Sequence, residues 1–155
     1  MMTRLLILGS VLAAAIGAST RESPPFVGTW RLDLARSSFG ATPSPRSDTT
    51  VMAAVENGYR VVTDQVSPDG KAIRYEYTVR FDGKDYPVTG SLKFEAISVS
   101  KVDDRTFDWI MKKDGKTVSR GRTVYSPDGK FRTLTYAWTD SSGRKLEVTA
   151  VFERQ

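Results

Sequence analysis

The sequence predicts an all-β fold, an up-and-down antiparallel meander of about ten strands that closes into a barrel. β-branched and aromatic residues alternate with polar ones through most of the chain, which is the period of half-buried strands. Turn dipeptides such as Asn57-Gly58 and Asp69-Gly70 recur, mostly 12 to 14 residues apart, and this spacing leaves room for one strand but for no crossover helix. Because a meander of so many strands has exposed edges unless its sheet closes, a barrel is predicted, with an open sandwich as the alternative.

The chain divides into a signal peptide at 1–19, a linker at 20–25 and the β-barrel domain at 26–155. The first residues carry the positive charge of Arg4, and an apolar run at 5–16 is followed by the small residues of a cleavage site. The run is too short to span a bilayer, which needs about 20 residues, and no later segment is apolar enough. Because cysteine is absent, a lipoprotein anchor is excluded. We therefore expect an exported, soluble protein, periplasmic or extracellular, with no membrane span in the mature chain.

The turns delimit the predicted strands. A loop rich in serine, proline and glycine is expected at 37–47, after the first strand. The pentapeptide Ser-Pro-Asp-Gly-Lys occurs at 67–71 and again at 126–130, and we interpret the repeat as shared turn chemistry rather than an internal duplication. The approximate strands are 26–33, 48–56, 59–66, 72–80, 85–89, 94–102, 106–113, 117–125, 131–139 and 145–154.

The composition excludes most enzyme chemistry. The 155 residues, 39% of them hydrophobic, suit one compact domain with a single core. Histidine and cysteine are both absent, which removes the Ser-His-Asp triad, thiol nucleophiles and the commonest zinc ligands. The net charge of +5, or +4 without Arg4, is spread along the strands. We therefore predict a protein that is not an enzyme, that holds no metal or cofactor and that binds no nucleic acid.

The opening strand carries the sequence Phe-Val-Gly-Thr-Trp-Arg-Leu, with Gly28 and Trp30 at its centre. It resembles the Gly-x-Trp opening strand of the calycins, which include lipocalins, fatty-acid-binding proteins and avidins. The resemblance implies that an arginine late in the last strand packs across the tryptophan and closes one barrel end, and Arg154 is the candidate. The chain is also similar to secreted bacterial proteins that open with Gly-Thr-Trp and carry Asp-Gly-Lys-Asp-Tyr-Pro, here at 82–87. It departs from lipocalins in lacking their disulfides and later motifs.

The register of the hairpins predicts which side chains face the interior, because a one-residue slip inverts every assignment. Ser-Pro-Asp-Gly favours a type I turn inside a three-residue loop. At 67–71 this loop sets Asp64 opposite Arg74 on the outer face. Tyr75 and Tyr77 are therefore expected to face inward.

The same loop at 126–130 predicts that two arginines face inward. It pairs Arg120 with Tyr136 and turns Arg122 and Trp138 to the same face. The preceding hairpin agrees if Asp114 and Gly115 form a two-residue loop, because Trp109 is then opposite Arg120.

A three-residue loop at 113–115 gives the opposite result. It sets Asp108 opposite Arg120 and turns Arg120 and Arg122 outward.

With the inward register, the predicted interior has two arginines beside an aromatic row and no carboxylate from these strands. Arginine is almost never fully buried unpaired, because its desolvation costs several kcal/mol. We therefore predict a partly wet cavity that binds a small amphipathic, anionic molecule, as the inward arginine and tyrosine of fatty-acid-binding proteins would imply. The alternative is a structural or protein-interaction barrel with a filled interior and no ligand. The predicted ligand-binding residues are Tyr75, Tyr77, Trp109, Arg120, Arg122, Tyr136 and Trp138, and the predicted barrel closure is Gly28, Trp30 and Arg154.

Overall fold

A computed structural model describes residues 23–155, so the predicted signal peptide at 1–19 and the first linker residues lie outside the described part. The described chain forms ten antiparallel strands in one closed barrel, in which consecutive strands pair and the last strand pairs with the first. The predicted all-β, up-and-down barrel is therefore confirmed. The strands are β1 (Gly28–Ser38), β2 (Ser47–Val55), β3 (Gly58–Val66), β4 (Ala72–Val79), β5 (Asp82–Thr89), β6 (Ala96–Lys101), β7 (Thr106–Lys113), β8 (Lys116–Tyr125), β9 (Phe131–Thr139) and β10 (Lys145–Arg154).

The first strand is longer than predicted. β1 continues to Ser38 and its second half stays beside β10 after a register shift. The hydroxyl of Ser37 accepts a hydrogen bond from the Val151 amide at 2.9 Å, which helps to hold the segment against the sheet. The loop predicted at 37–47 therefore begins two residues later than expected.

Aromatic rings fill one end of the barrel, which we call the plugged end. Phe26 lies among the rings of Tyr59, Phe81 and Phe107, with ring centroids 4.6, 5.0 and 5.4 Å away. Trp30 is fully buried beside them and donates from Nε1 to the carbonyl of Phe26 at 3.1 Å. Edge-on aromatic contacts of this kind add to the free energy gained by burying apolar surface.

Arg154 covers the plugged end. Its guanidinium lies 4.4 Å from the centroid of the Trp30 ring. It donates hydrogen bonds to the carbonyls of Val27 at 2.6 Å, Gly129 at 2.7 Å and Pro25. The linker predicted at 20–25 thus ends in residues that contact the barrel.

Gly28 allows Arg154 to approach the first strand. Its φ of +142° is a conformation that L side chains rarely adopt, and a Cβ at this position would lie 2.5 Å from Nη1 of Arg154. Glycine at this position therefore permits the contact between the guanidinium and β1.

The described part of the chain has neither a candidate membrane helix nor an acidic metal-binding cluster. No helix in residues 23–155 is long and apolar enough to cross a membrane. In the same residues, no group of three or more acidic side chains could hold a metal ion.

Candidate functional site

The hairpin between β7 and β8 contains a bulge that sets the register of β8. The loop has two residues, as predicted, with positive φ at Asp114 (50°) and Gly115 (72°). Thr117 is then opposite Lys112, but Ser119 is opposite Met111, so Val118 is an extra residue without a partner on β7. One extra residue inverts the faces of everything that follows it in the strand.

The predicted inward direction of Arg120 and Arg122 is therefore wrong. Both side chains are exposed on the outer face. Arg122 donates to the carboxylate of Asp108 at 2.6 and 2.8 Å, and this hydrogen bonding lowers the pKa of Asp108. Both partners are about half exposed, so water screens the pair and it contributes little to stability.

The register of the hairpin between β8 and β9 also differs from the prediction by one residue. The Ser67 amide donates to the carbonyl of Lys71 at 2.9 Å, whereas the Ser126 amide donates to that of Phe131 at 2.8 Å. The second pentapeptide thus forms a loop that is one residue longer. The cause is tertiary, because the Arg154 amide donates to the Lys130 carbonyl at 2.8 Å and keeps it out of the ladder with β8.

The five aromatic residues of the predicted site lie on the inner face of the barrel wall. Trp109 donates from Nε1 to the hydroxyl of Thr123 at 3.2 Å, and its ring centroid is 5.7 Å from that of Tyr136. Gly121 leaves space for this ring, since a Cβ there would lie 2.4 Å from the indole. The five residues are Tyr75, Tyr77, Trp109, Tyr136 and Trp138.

The tyrosines of this face stay neutral near physiological pH. Burial raises the pKa of Tyr75 and of Tyr77, and it raises the pKa of Tyr136 to about 12. Their hydroxyls can therefore donate hydrogen bonds into the interior.

Side chains do not fill the inner face completely. Several inward-facing residues in the middle of the wall or away from the plugged end keep part of their surface exposed. Because the strands form a closed barrel, this exposure means that solvent reaches the interior. These residues are Leu32, Gln65, Ile73, Tyr75, Tyr77, Val88, Met111, Leu134, Tyr136 and Trp138.

Arg132 on β9 is a buried guanidinium that the sequence analysis did not single out. It is only 6% exposed and faces the interior, opposite Phe152 on β10 and Tyr125 on β8. Its Cζ lies 4.2 Å from the Phe152 ring centroid and 5.7 Å from that of Trp30. Nη1 is 4.0 Å from the sulfur of Met52, which is a weak acceptor.

The charge of Arg132 has no acid beside it. Among residues 23–155, no carboxylate oxygen lies within 4 Å of its guanidinium, and its buried Nε has no hydrogen-bond partner. The alternation along β9 could have identified it, because Arg132 shares a face with Leu134, Tyr136 and Trp138. Arg132 therefore supplies the inward-facing guanidinium that the sequence analysis had expected from Arg120 and Arg122.

Asp48 supplies a carboxylate to the interior from β2, a strand outside the register argument. It is buried, and it accepts hydrogen bonds from Gln65 Nε2 at 2.8 Å and from the hydroxyl of Thr50 at 3.4 Å. Burial raises the pKa of Asp48, and this effect outweighs the lowering by the Gln65 hydrogen bond and by the charge of Arg132. Among residues 23–155, the interior thus holds the carboxyl group of Asp48 and the guanidinium of Arg132, which form no salt bridge with each other.

Comparisons with known proteins identify structures of low sequence identity. No protein-family model matches the chain, and no curated protein matches it. A zebrafish ileal bile acid-binding protein complexed with cholic acid is 14% identical, with a TM-score of 0.48, over 84% of this chain and 99% of that chain. The siderocalin Ex-FABP, which functions through dual ligand specificities, is 10% identical, with a TM-score of 0.38, over 84% and 71% of the two chains. Membership of the calycin superfamily and the likeness to secreted Gly-Thr-Trp proteins stay predictions.

Proposed function

We propose that the barrel binds a small amphipathic molecule whose anionic group lies against the guanidinium of Arg132. One observation supports this most directly: a buried charge with an unpartnered Nε and, among the described residues, no acid within 4 Å. An uncompensated charge in a protein interior costs several kcal/mol. A bound carboxylate would offset that cost, because it matches the guanidinium fork with two parallel hydrogen bonds.

The aromatic residues of the inner face flank the apolar part of the ligand in this proposal. They are Tyr75, Tyr77, Trp109, Tyr136 and Trp138, whose rings offer apolar surface and whose neutral hydroxyls do not repel an anion. Arg120 and Arg122 have no part in it, since both are on the outer face. With the predicted signal peptide at 1–19, we infer that the protein binds its ligand outside the cytoplasm.

Calorimetric titration with dodecanoic acid tests the proposal. Wild type and Arg122→Gln are expected to bind the probe with equal affinity, whereas Arg132→Gln binds it at least about tenfold more weakly, because a hydrogen bond to a charged group contributes about 1.5–3 kcal/mol. Arg122→Gln is the matched control, since it removes the same charge from the outer wall. Thermal melts followed by circular dichroism establish that each variant is folded.

Two outcomes would contradict the proposal. One is equal affinity in all three proteins, which would place the anion elsewhere. The other is the absence of binding to wild type, provided that native mass spectrometry of protein purified from its own host also detects no retained amphiphile.

A structural or protein-interaction barrel is the second candidate function. It is favoured by the position of two clefts of about 280 and 240 Å³, which are lined mainly by outward-facing residues of β2 to β4 and of β8 to β10. It is also favoured by the aromatic rings beside Arg132, because cation–π contacts stabilise a guanidinium without a ligand. This candidate predicts that no substitution of an interior residue changes the affinity of the barrel for its partner.

A further inference from the structure

We propose that the ligand of this barrel is a hydroxylated amphipathic acid, whose carboxylate is held by Arg132 and whose distal hydroxyl donates a hydrogen bond to Asp48. The inference rests on the proposed function and adds the chemical class of the ligand. It follows from the presence of two buried, opposite charges on the inner face that do not pair with each other.

The first step concerns the hydrogen-bond acceptor positions of Asp48 that no protein group occupies. The residue is only 7% exposed. An ionised carboxylate has about four acceptor positions, and in this structure Gln65 and Thr50 donate to it, one to each oxygen. Among the described residues, no lysine or arginine nitrogen lies within 4 Å of it. Asp48 can therefore accept further hydrogen bonds from a group inside the barrel, and that group must be a donor.

The second step concerns the positions of the two residues along the barrel wall. Met52 lies on the same face of β2 as Asp48, four residues further along the strand, and its sulfur is the atom near Nη1 of Arg132. With a rise of about 3.3 Å per residue, the main-chain positions of Asp48 and Met52 are about 13 Å apart along β2. Arg132 is near the plugged end and Asp48 is toward the opposite end, beside the turn at 67–71. A ligand that contacts both must be elongated.

The third step concerns the wall between the charges. Tyr75 pairs with Thr63 and Tyr77 with Val61, and Thr63 contacts Thr50 hydroxyl to hydroxyl at 3.3 Å. These side chains form an inner surface of aromatic rings and aliphatic groups that also carries the hydroxyls of Thr50, Thr63 and the two tyrosines. An amphipathic body with an acid at one end and a hydroxyl at the other can lie against these rings.

Discrimination between two probes of equal length tests the inference. Dodecanoic acid and ω-hydroxydodecanoic acid differ only in the terminal hydroxyl, and their affinities are compared by calorimetry in wild type, Asp48→Asn, Asp48→Ala and Asp64→Asn. Wild type is expected to bind the hydroxy acid about tenfold more tightly, because its terminal hydroxyl would donate a hydrogen bond to the charged carboxylate of Asp48. Asp64→Asn is the matched control, since Asp64 is an exposed acid on the neighbouring strand.

The preference for the hydroxy acid should fall in Asp48→Asn, disappear in Asp48→Ala and persist in Asp64→Asn. Asp48→Asn keeps the shape and most hydrogen bonds of the site, so it reports on binding even if Asp48→Ala folds poorly. Equal binding of the two probes by wild type, with the dependence on Arg132 intact, would overturn this inference alone. Failure of wild type to bind either probe, together with the absence of a retained amphiphile in native mass spectrometry, would instead overturn the proposed function on which it rests.

Discussion

Arg122 and Arg132 lie on neighbouring strands, and their surroundings give the same side chain two different roles. Arg122 is on the outer face, paired with Asp108 and about half exposed, where water screens the pair. Arg132 is in the interior against Phe152 and Trp30, where water is scarce and an electrostatic contact is stronger. At the scale of single residues, burial and not residue type therefore decides which arginine can bind an anion.

Asp48 gives a prediction at the same scale. Burial raises its pKa above the ordinary value of 3.8, so the folded protein binds this proton more tightly than the unfolded chain does. The resulting contribution to stability is present below pH 3.8 and is lost as the pH rises through the raised pKa. Asp48→Asn cannot ionise, so its free energy of unfolding relative to wild type should increase from acid to neutral pH.

Urea unfolding of Asp48→Asn and wild type across that pH range measures the difference. Asp64→Asn serves as the control, because it makes the same substitution at an exposed position that is paired with Arg74. A difference between Asp48→Asn and wild type that stays constant or reverses with pH would show that burial does not dominate the titration of Asp48.

At the scale of elements, two identical pentapeptides form loops of different length. Ser-Pro-Asp-Gly-Lys closes a three-residue loop after Ser67 and a loop one residue longer after Ser126. The second is held by Arg154, whose main chain and side chain donate to the carbonyls of Lys130 and Gly129. Local turn chemistry thus specifies where a hairpin turns, whereas a contact from the end of the chain specifies its register.

The bulge in β8 gives the prediction at this scale. Val118 has no ladder partner on β7 or β9, so its deletion should remove the bulge and leave the pairing from Ser119 onward unchanged. The variant is expected to lose about 1 kcal/mol of stability or less, as for a change at an exposed site.

Deletion of Val62 is the matched comparison, because this residue is paired with Val51 on β2 and with Glu76 on β4. Its loss should invert one half of β3 and abolish cooperative unfolding. Thermal melts followed by circular dichroism compare the two deletions. If the deletion of Val118 is as damaging as that of Val62, the assignment of the bulge is wrong.

The same bulge explains what the sequence could and could not predict. Alternation and turn dipeptides predicted ten strands, and the limits of β7, β9 and β10 match those observed. The register around Asp64 and Arg74 also followed from a local turn, and the two form the expected pair. The face of Arg120 and Arg122 did not follow, because the local turn sequence shows neither the extra residue Val118 nor the contact of the Lys130 carbonyl with Arg154.

At the scale of the whole molecule, closure of the barrel joins the two ends of the described chain. β1 pairs with β10, and Trp30 is opposite Arg154 in that ladder. Arg154 also binds main-chain carbonyls before β1 and in the loop between β8 and β9. One side chain therefore links three segments at the plugged end.

This arrangement predicts strong coupling between Trp30 and Arg154. Trp30→Ala should cost about 3–5 kcal/mol of unfolding free energy, as expected for emptying a fully buried aromatic site. Arg154→Ala should cost less, and the double variant should differ from the sum of the single variants by about 0.5–3 kcal/mol, because the two side chains are in contact. Urea unfolding of the four proteins gives the coupling energy.

Trp30→Ala with Arg122→Ala is the control cycle, and it should be additive within about 0.5 kcal/mol, since Arg122 is on the outer face away from the plugged end. Additivity in both cycles would show that the stack of Arg154 on Trp30 does not stabilise the closed barrel.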